Sequence, residues 1–351
     1  MRVPKIIKNP WRGTGLDLGV VMPIADASDV AGLLARCPAH EVTPLRSCSE
    51  IARRAGVEAV WIKDERERMG LGSFKALGAA HAIAREAAAA APEGAALTAA
   101  LAGQTFVAAS AGNHGLSVAA GAGIFGARAV IYLAQTVPAA FAARLEAHGA
   151  EVVRAGADYA ASMAAAEHAA EERGWRLLSD SSWEGYFELP LRVMEGYTQL
   201  AAEAVDQLEE APTHILLQAG VGGLAAAVAA HARLAWGDGP EIIVVEPEVA
   251  PALIESIRAG RAVTTDGPVS CMGRLDCKAP SLIALAGLAR DADRFVTMTE
   301  AEVEAGVAVL AEAGIGTTPS GGAGLAALLA GLETGPEARV LAIVSEGPED
   351  G

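Results

Sequence analysis

The nine residues Gly70-Leu71-Gly72-Ser73-Phe74-Lys75-Ala76-Leu77-Gly78 set a single lysine between glycines and an uncharged helical turn. A surface lysine normally sits among polar neighbours, where its ammonium stays hydrated and its stem lies along the surface. Lys75 is followed instead by Ala76, Leu77, Gly78, Ala79 and Ala80. Such surroundings desolvate the charge, which lowers the pKa and makes the neutral amine accessible. A neutral amine forms an imine with an aldehyde.

Two further glycine-containing turns can present backbone amides to a ligand. In "QAGVGGLAAAV" (218–228), Gly220, Gly222 and Gly223 follow an apolar strand and open a helix whose N-terminal amides and dipole suit an anion. The spacing G-x-G-G is not the dinucleotide fingerprint, and Glu246 comes late for a ribose partner, so a single phosphate fits better. In "SAGNHGLSVA" (110–119), Ser110, Asn113 and His114 stand at a strand end; read alone, Ser110 is a helix cap and Asn113 a turn residue. A fourth glycine-rich helix entrance, "TTPSGGAGLAAL" (317–328), offers Ser320 as a cap and is equally a cofactor wall or a tight junction.

The elements that must position these residues alternate along the chain. Short apolar runs at 59–63, 105–110, 128–133, 214–220, 241–247 and 339–347 read as strands, and the alanine-rich stretches at 73–91, 113–126, 139–149, 159–174 and 222–237 as helices. This predicts an α/β fold of mostly parallel sheets flanked by helices. The polar, aromatic "SDSSWEGYFELP" (179–190) interrupts the pattern. Residues 80–175 are expected to form a small α/β domain inserted into a large one made of 1–79 and 176–351, with a ligand between the lobes.

Composition narrows the partner. Of 351 residues 52% are hydrophobic and only 4% aromatic, so small aliphatic side chains must fill the core. A formal charge of −16 argues against nucleic acid or an anionic membrane and for a small molecule in a local pocket. The start, "MRVPKIIKNPWRG", lacks an apolar export segment, and a cytoplasmic protein is expected. Cys37, Cys48, Cys271 and Cys277 match no standard zinc spacing, so neither a metal site nor a disulfide framework is predicted.

Taken in order, the Lys75 turn, the Asn113 turn and the "GVGG" loop (220–223) resemble the fold-type II pyridoxal-phosphate enzymes, the family of serine and threonine dehydratases, cysteine synthase and tryptophan synthase β. "TPL" (43–45) resembles that family's opening signature. The resemblance implies a two-lobed, tryptophan synthase β-like fold and a homodimer. It implies that Lys75 bonds the cofactor's aldehyde, Asn113 its phenolic oxygen, the amides of Gly220, Val221, Gly222 and Gly223 its phosphate, and Ser345 of "VSEG" its ring nitrogen. A neutral hydroxyl on that nitrogen suits β-elimination better than transamination. One branch is more similar still: "KDERERMGLGSFKALGAAHAIA" (63–84), "SDSSWEGYFELP", "MGRLDCKAP" (272–280) and "SEG" (345–347) look like the diaminopropionate ammonia-lyases.

That branch implies Asp180 as a second catalytic group, a carboxylate for the distal substrate ammonium, and an acid before the asparagine that acts on the D-isomer. The latter position is Ala111, which takes no proton, so Lys75 is the only obvious base and an L-amino acid the expected substrate. The expected activity is α,β-elimination of a β-amino-substituted L-amino acid, 2,3-diaminopropionate or an N-substituted relative, to aminoacrylate and then pyruvate and ammonia. The alternatives are a serine or threonine dehydratase, which Ser110-Ala111-Gly112 favours, and a cofactor-binding protein with little turnover. Arg274, Asp276 and Lys278 are left between a cleft role and a solvated loop.

Overall fold

The computed structural model describes residues 6–37, 39–92 and 96–348; the first five residues, part of the start read above for export, lie outside them. The strands are β1 (Ile6–Lys8), β2 (Leu45–Ser47), β3 (Ala59–Asp64), β4 (Thr105–Ala109), β5 (Arg128–Leu133), β6 (Glu151–Arg154), β7 (Arg176–Leu177), β8 (His214–Gln218), β9 (Glu241–Pro247), β10 (Arg294–Met298) and β11 (Arg339–Val344). The helices are α1 (Ser28–Leu34), α2 (Ser49–Ala55), α3 (Lys75–Ala90), α4 (Asn113–Ile124), α5 (Ala139–Ala147), α6 (Tyr159–Arg173), α7 (Glu188–Gln207), α8 (Gly223–Trp236), α9 (Ala252–Ala259), α10 (Leu282–Asp291), α11 (Glu300–Glu312) and α12 (Pro319–Leu329).

Two sheets result. One has the order β1-β10-β9-β8-β11-β3-β2, parallel except for β1 and β2 at its edges. The other, β6-β5-β4-β7, is parallel throughout. Alternate residues explain the apolar runs: Leu341 and Ile343 of β11 join the core that contains α7 and α8, while Val340, Ala342 and Val344 join the one that contains α12. Both faces of the strand are buried, so both sets are aliphatic. The six strands and five helices expected from sequence are all present. No run is assigned from sequence to β1, β2, β6, β7 or β10 and no helix to α1, α2, α7, α9, α10 or α11; α7, at 20 residues, is the longest of these. Its first residues, Glu188-Leu189-Pro190, are the end of the stretch read as irregular; proline is tolerated there because first-turn amides have no helical acceptor.

α7 and α3 cross at two glycines. A Cβ on Gly196 would lie 2.5 Å from the Leu77 carbonyl oxygen and 3.0 Å from Gly78 Cα, and one on Gly78 would lie 2.5 Å from the Tyr197 ring. Any side chain at either position would force the helices apart.

A buried ion network ties α7 to the end of β3. The Arg68 guanidinium, fully buried, donates twice to Glu65 at 2.8 Å and to Glu203 Oε1 and Oε2 at 2.9 and 2.7 Å. Lys63 adds an ion pair to Glu203 at 2.6 Å and donates to the Thr43 carbonyl. The family-like "TPL" and K-D-E-x-x-R motifs thus build scaffold. Burial alone would raise the Glu203 pKa, but Arg68 and Lys63 outweigh it and hold it at about 2. Elsewhere Glu246, the residue weighed as a ribose partner, accepts from the Leu253 and Ile254 amides and caps α9. Thr318, not Ser320, caps α12, because its hydroxyl is the one that reaches the Gly321 amide. Among the described residues no helix is long and apolar enough to cross a membrane, and no cluster of His, Cys, Asp and Glu could hold a metal ion.

Removing one partner from a buried pair strands the other charge. Glu203→Ala, which leaves Arg68 and Lys63 buried beside Glu65 alone, is expected to cost about 3–5 kcal/mol in unfolding free energy by urea titration. A loss under about 1 kcal/mol, the level of an exposed pair, would contradict this.

Candidate active site

Every candidate residue follows the C-terminal end of a parallel strand. The 66–75 turn follows β3, Ser110 and Asn113 follow β4, Asp180 follows β7, Gly220 follows β8 and Ser345 follows β11. Open α/β sheets bind ligands outside these ends, where helix N-termini also point.

Lys75 is the first residue of α3. The turn before it is stitched to the end of β11: the Phe74 amide donates to the Ser345 carbonyl at 3.0 Å and the Gly347 amide to the Gly72 carbonyl at 3.0 Å. Gly72, at φ +75°, makes that turn in a conformation side chains resist. The Lys75 ammonium lies 5.1 Å from the Phe74 ring centre and 5.5 Å from that of Tyr197, and it pairs with Asp180.

The pair corrects one expectation. Burial does work against the Lys75 charge, but Asp180 outweighs it and holds the lysine's pKa above its ordinary value. Burial would likewise raise Asp180, and Lys75, followed by His114, drives it well below the usual carboxylate range instead. The sequence showed the apolar neighbours of Lys75; it did not show a carboxylate 105 residues away meeting it.

Asp180 is held by the polar, aromatic stretch around it. The Tyr186 hydroxyl donates to the Leu177 carbonyl at 2.7 Å and accepts from the Ser179 amide at 3.1 Å, and the Trp183 ring stacks on that of Tyr186 with centres 4.4 Å apart. On the other side, Ser182 bonds the Ser281 hydroxyl at 2.7 Å and accepts from the Ile283 amide at 2.9 Å, anchoring the loop to the start of α10.

Gly220 to Gly223 form the turn from β8 into α8, with Gly222 as the helix cap at φ +98°. A Cβ on Gly220 would lie 2.9 Å from Cys277 Sγ and 3.0 Å from Leu275 Cα, and the Val221 carbonyl accepts from the Ser281 amide. Gly222 supplies no side-chain cap, and among the described residues no acceptor meets the first amides of α8, an arrangement that phosphate sites share. Burial, followed by the Asp180 charge, pushes the Cys277 thiol up to about 12, so it is neutral at ordinary pH.

Asn113 opens α4 and donates through Nδ2 to Glu346 Oε2 at 2.5 Å. An amide NH2 carries two hydrogens, so one still points away from Glu346. Glu346 is a site residue that sequence reasoning missed, although it sits inside "VSEG". It is buried, pairs with Arg274 at 3.0 Å and accepts from the Thr318 hydroxyl. Ser345 beside it is buried, its backbone fixed by Gly321 and Phe74.

The three charges of the 274–278 loop separate. Lys278 pairs with Asp276 at 2.6 Å and donates to the Val249 and Pro268 carbonyls, a clamp between loops, whereas Arg274 meets the Asn113–Glu346 pair. His114 presents Nε2 to the Leu178 carbonyl at 2.8 Å, which fixes its proton there, and burial lowers its pKa. Ala111 is exposed on the turn between Ser110 and Gly112. Gly112, not Ser110, is the N-cap of α4; Ser110, two residues earlier, accepts from the Gly112 and Gly115 amides at 3.3 and 3.1 Å and so still satisfies one first-turn donor.

Comparison with known proteins bears on this geometry. Residues 37–346 match the family model described as "Pyridoxal-phosphate dependent enzyme". The diaminopropionate ammonia-lyase of Salmonella typhimurium is 35% identical over 276 residues, 71% of this chain and 66% of that protein, so the match spans just under two thirds of its length. The diaminopropionate ammonia-lyase of Escherichia coli K12 is 32% identical over 286 residues, covering 77% of this chain and 71% of that protein. A crystal structure of the Escherichia coli enzyme in complex with an aminoacrylate-PLP azomethine reaction intermediate superposes with a TM-score of 0.88 at 29% identity, covering 98% of this chain and 94% of that one.

If Asp180 holds the proton on Lys75, Asp180→Asn removes the favourable charge and leaves the burial. The lysine then loses its proton at lower pH. Acylation of Lys75 in the cofactor-free protein, followed by mass spectrometry across pH, is expected to begin at lower pH in the variant; an unchanged profile would mean that the carboxylate does not control the amine.

Proposed function

The chain belongs to the pyridoxal-phosphate dependent enzyme family, and we propose that within it the chain is an ammonia-lyase that eliminates the β-nitrogen of a β-amino-substituted L-amino acid. The observation that carries this is the meeting of Lys75 and Asp180 beside the open amides of α8. The residues fit the cofactor: Lys75 for its aldehyde, the amides of Gly220–Gly223 for its phosphate, the free N–H of Asn113 for its phenolic oxygen, and the Ser345 hydroxyl for its ring nitrogen. When bound, pyridoxal phosphate supplies the electron sink that makes the substrate's Cα–H bond acidic.

The chain's own groups then divide the work. Lys75, displaced by the substrate's α-amine, takes the Cα proton. Asp180, which no longer needs to balance an ammonium at that moment, accepts hydrogen bonds from the substrate's β-ammonium and holds it in place. As Lys75 becomes protonated, the Asp180 charge stabilises the new ammonium. The β-nitrogen departs as ammonia with the electron pair of its bond to Cβ. Aminoacrylate leaves and takes up water to give pyruvate and a second ammonia. Ala111 provides no opposing base, so the L-isomer is the substrate.

The same reading includes a small lobe of residues 80–175 on a large one of 1–79 and 176–351, and a cytoplasmic homodimer. It rests on the family-like motifs for these points.

Release of ammonia and pyruvate from a panel of β-substituted L-amino acids tests the activity. Turnover of 2,3-diaminopropionate ahead of serine and threonine is expected; the reverse order favours the dehydratase reading that Ser110-Ala111-Gly112 supports, and inactivity across the panel counts against a lyase. Lys75→Ala should abolish the visible cofactor band and cut turnover about a thousandfold, within the range a positioned base supplies. Ala111→Asp is expected to add turnover of the D-isomer, read by chiral chromatography of the residual substrate; an unaltered stereochemical preference would place position 111 out of reach of Cα.

A further inference from the structure

Tyr197 is 1% exposed, and its hydroxyl has no well-aligned hydrogen-bond partner among the described residues, although the Lys75 amine lies within hydrogen-bonding reach of it. A buried hydroxyl without a well-aligned partner costs stability, so a site that keeps one beside an amine normally uses it. This one has a niche made for it. Gly78 of α3 leaves room where a Cβ would lie 2.8 Å from the hydroxyl oxygen, Gly223 of α8 lies against the far edge of the ring, and Phe74 packs on the ring edge-on with centres 4.8 Å apart. The hydroxyl lies close enough to Lys75 and Asp180 to feel both charges, and burial pushes its pKa up to about 12, so it is a neutral phenol.

We infer that Tyr197 is a positioning residue for the Lys75 amine: its hydroxyl oxygen and the Asp180 carboxylate each take one N–H, which turns the amine's lone pair toward the substrate's Cα. A neutral amine has two N–H groups and one lone pair, and rotation about Cε–Nζ is otherwise unhindered. One acceptor can be met by either N–H and leaves the lone pair two directions; two acceptors on different elements, α7 and the 179–182 loop, leave it one. The inference rests on the assignment of Lys75 as the cofactor-bearing base.

Tyr197→Phe removes one oxygen and keeps the ring in its niche. Glycine, which has no β-leaving group, is added to the holoenzyme to displace Lys75, then diluted out, and the rate at which the original visible band returns reports the lysine re-engaging. The variant is expected to return about tenfold more slowly, the worth of one hydrogen bond, with kcat falling, KM unchanged and a melting temperature that stays level because the ring keeps its niche. An unchanged return rate in a variant that still shows the band overturns the inference alone. A slower return accompanied by a lower melting temperature assigns the hydroxyl to the fold and overturns it too. A wild-type protein whose band does not respond to glycine overturns the Lys75 assignment and this inference with it.

Discussion

The close crossing of α3 on α7 is the constraint from which the site follows. Two glycines face each other there, and each lacks a side chain where a single carbon would collide with the opposite helix. Because the helices touch, the start of α3 is brought beside Tyr197, and Lys75 stands partly buried against two aromatic rings. The buried network of Arg68, Glu65, Glu203 and Lys63 ties α7 a second time, to the end of β3 from which the chain runs on to α3. Its charges are costly to bury, and they are tolerated because two cations and two carboxylates satisfy one another and the Thr43 backbone.

Around that frame the electrostatics are arranged in pairs. Asp180 answers Lys75, Glu346 answers Arg274 and Asn113, and the amides of α8 stand open for a phosphate. A protein with a net charge of −16 thereby keeps a local cluster of donors where an anionic ligand must sit. The lysine is stabilised as an ammonium when it is free and must give up its proton to act. That is a thermodynamic cost at rest, and it is returned when the amine receives a proton next to the same carboxylate.

Much of the fold was legible because the strands are buried on both faces and therefore read as continuous aliphatic runs. The elements not read from sequence, among them β10 and α7, lacked that signal. β10, "RFVTM", is five residues with a threonine in it, and α7 begins inside a stretch dominated by tryptophan, tyrosine and phenylalanine. Lys75 and the 220–223 loop stood out from turns whose glycines imply close backbone approach, whereas the roles of Asn113 and Ser345 came from the family resemblance. Glu346 and Tyr197 carried no such mark: an acid after a strand and a tyrosine in a helix are ordinary in a sequence. Lys63, Glu65 and Arg68 were visible as a motif, but their role in scaffolding was not.

The sequence by itself determined the alternation of strands and helices, the family, and which turns could hold an amine, an amide and a phosphate, because those depend on spacing between near neighbours. Only the tertiary structure decided the charge state of Lys75. Its local neighbours argue for a lowered pKa, and the carboxylate that reverses the sign lies 105 residues along the chain, brought there by the strand-end convergence of the two sheets. Electrostatic balance at a buried site is a sum over everything within a few ångströms, and chain distance says nothing about that sum.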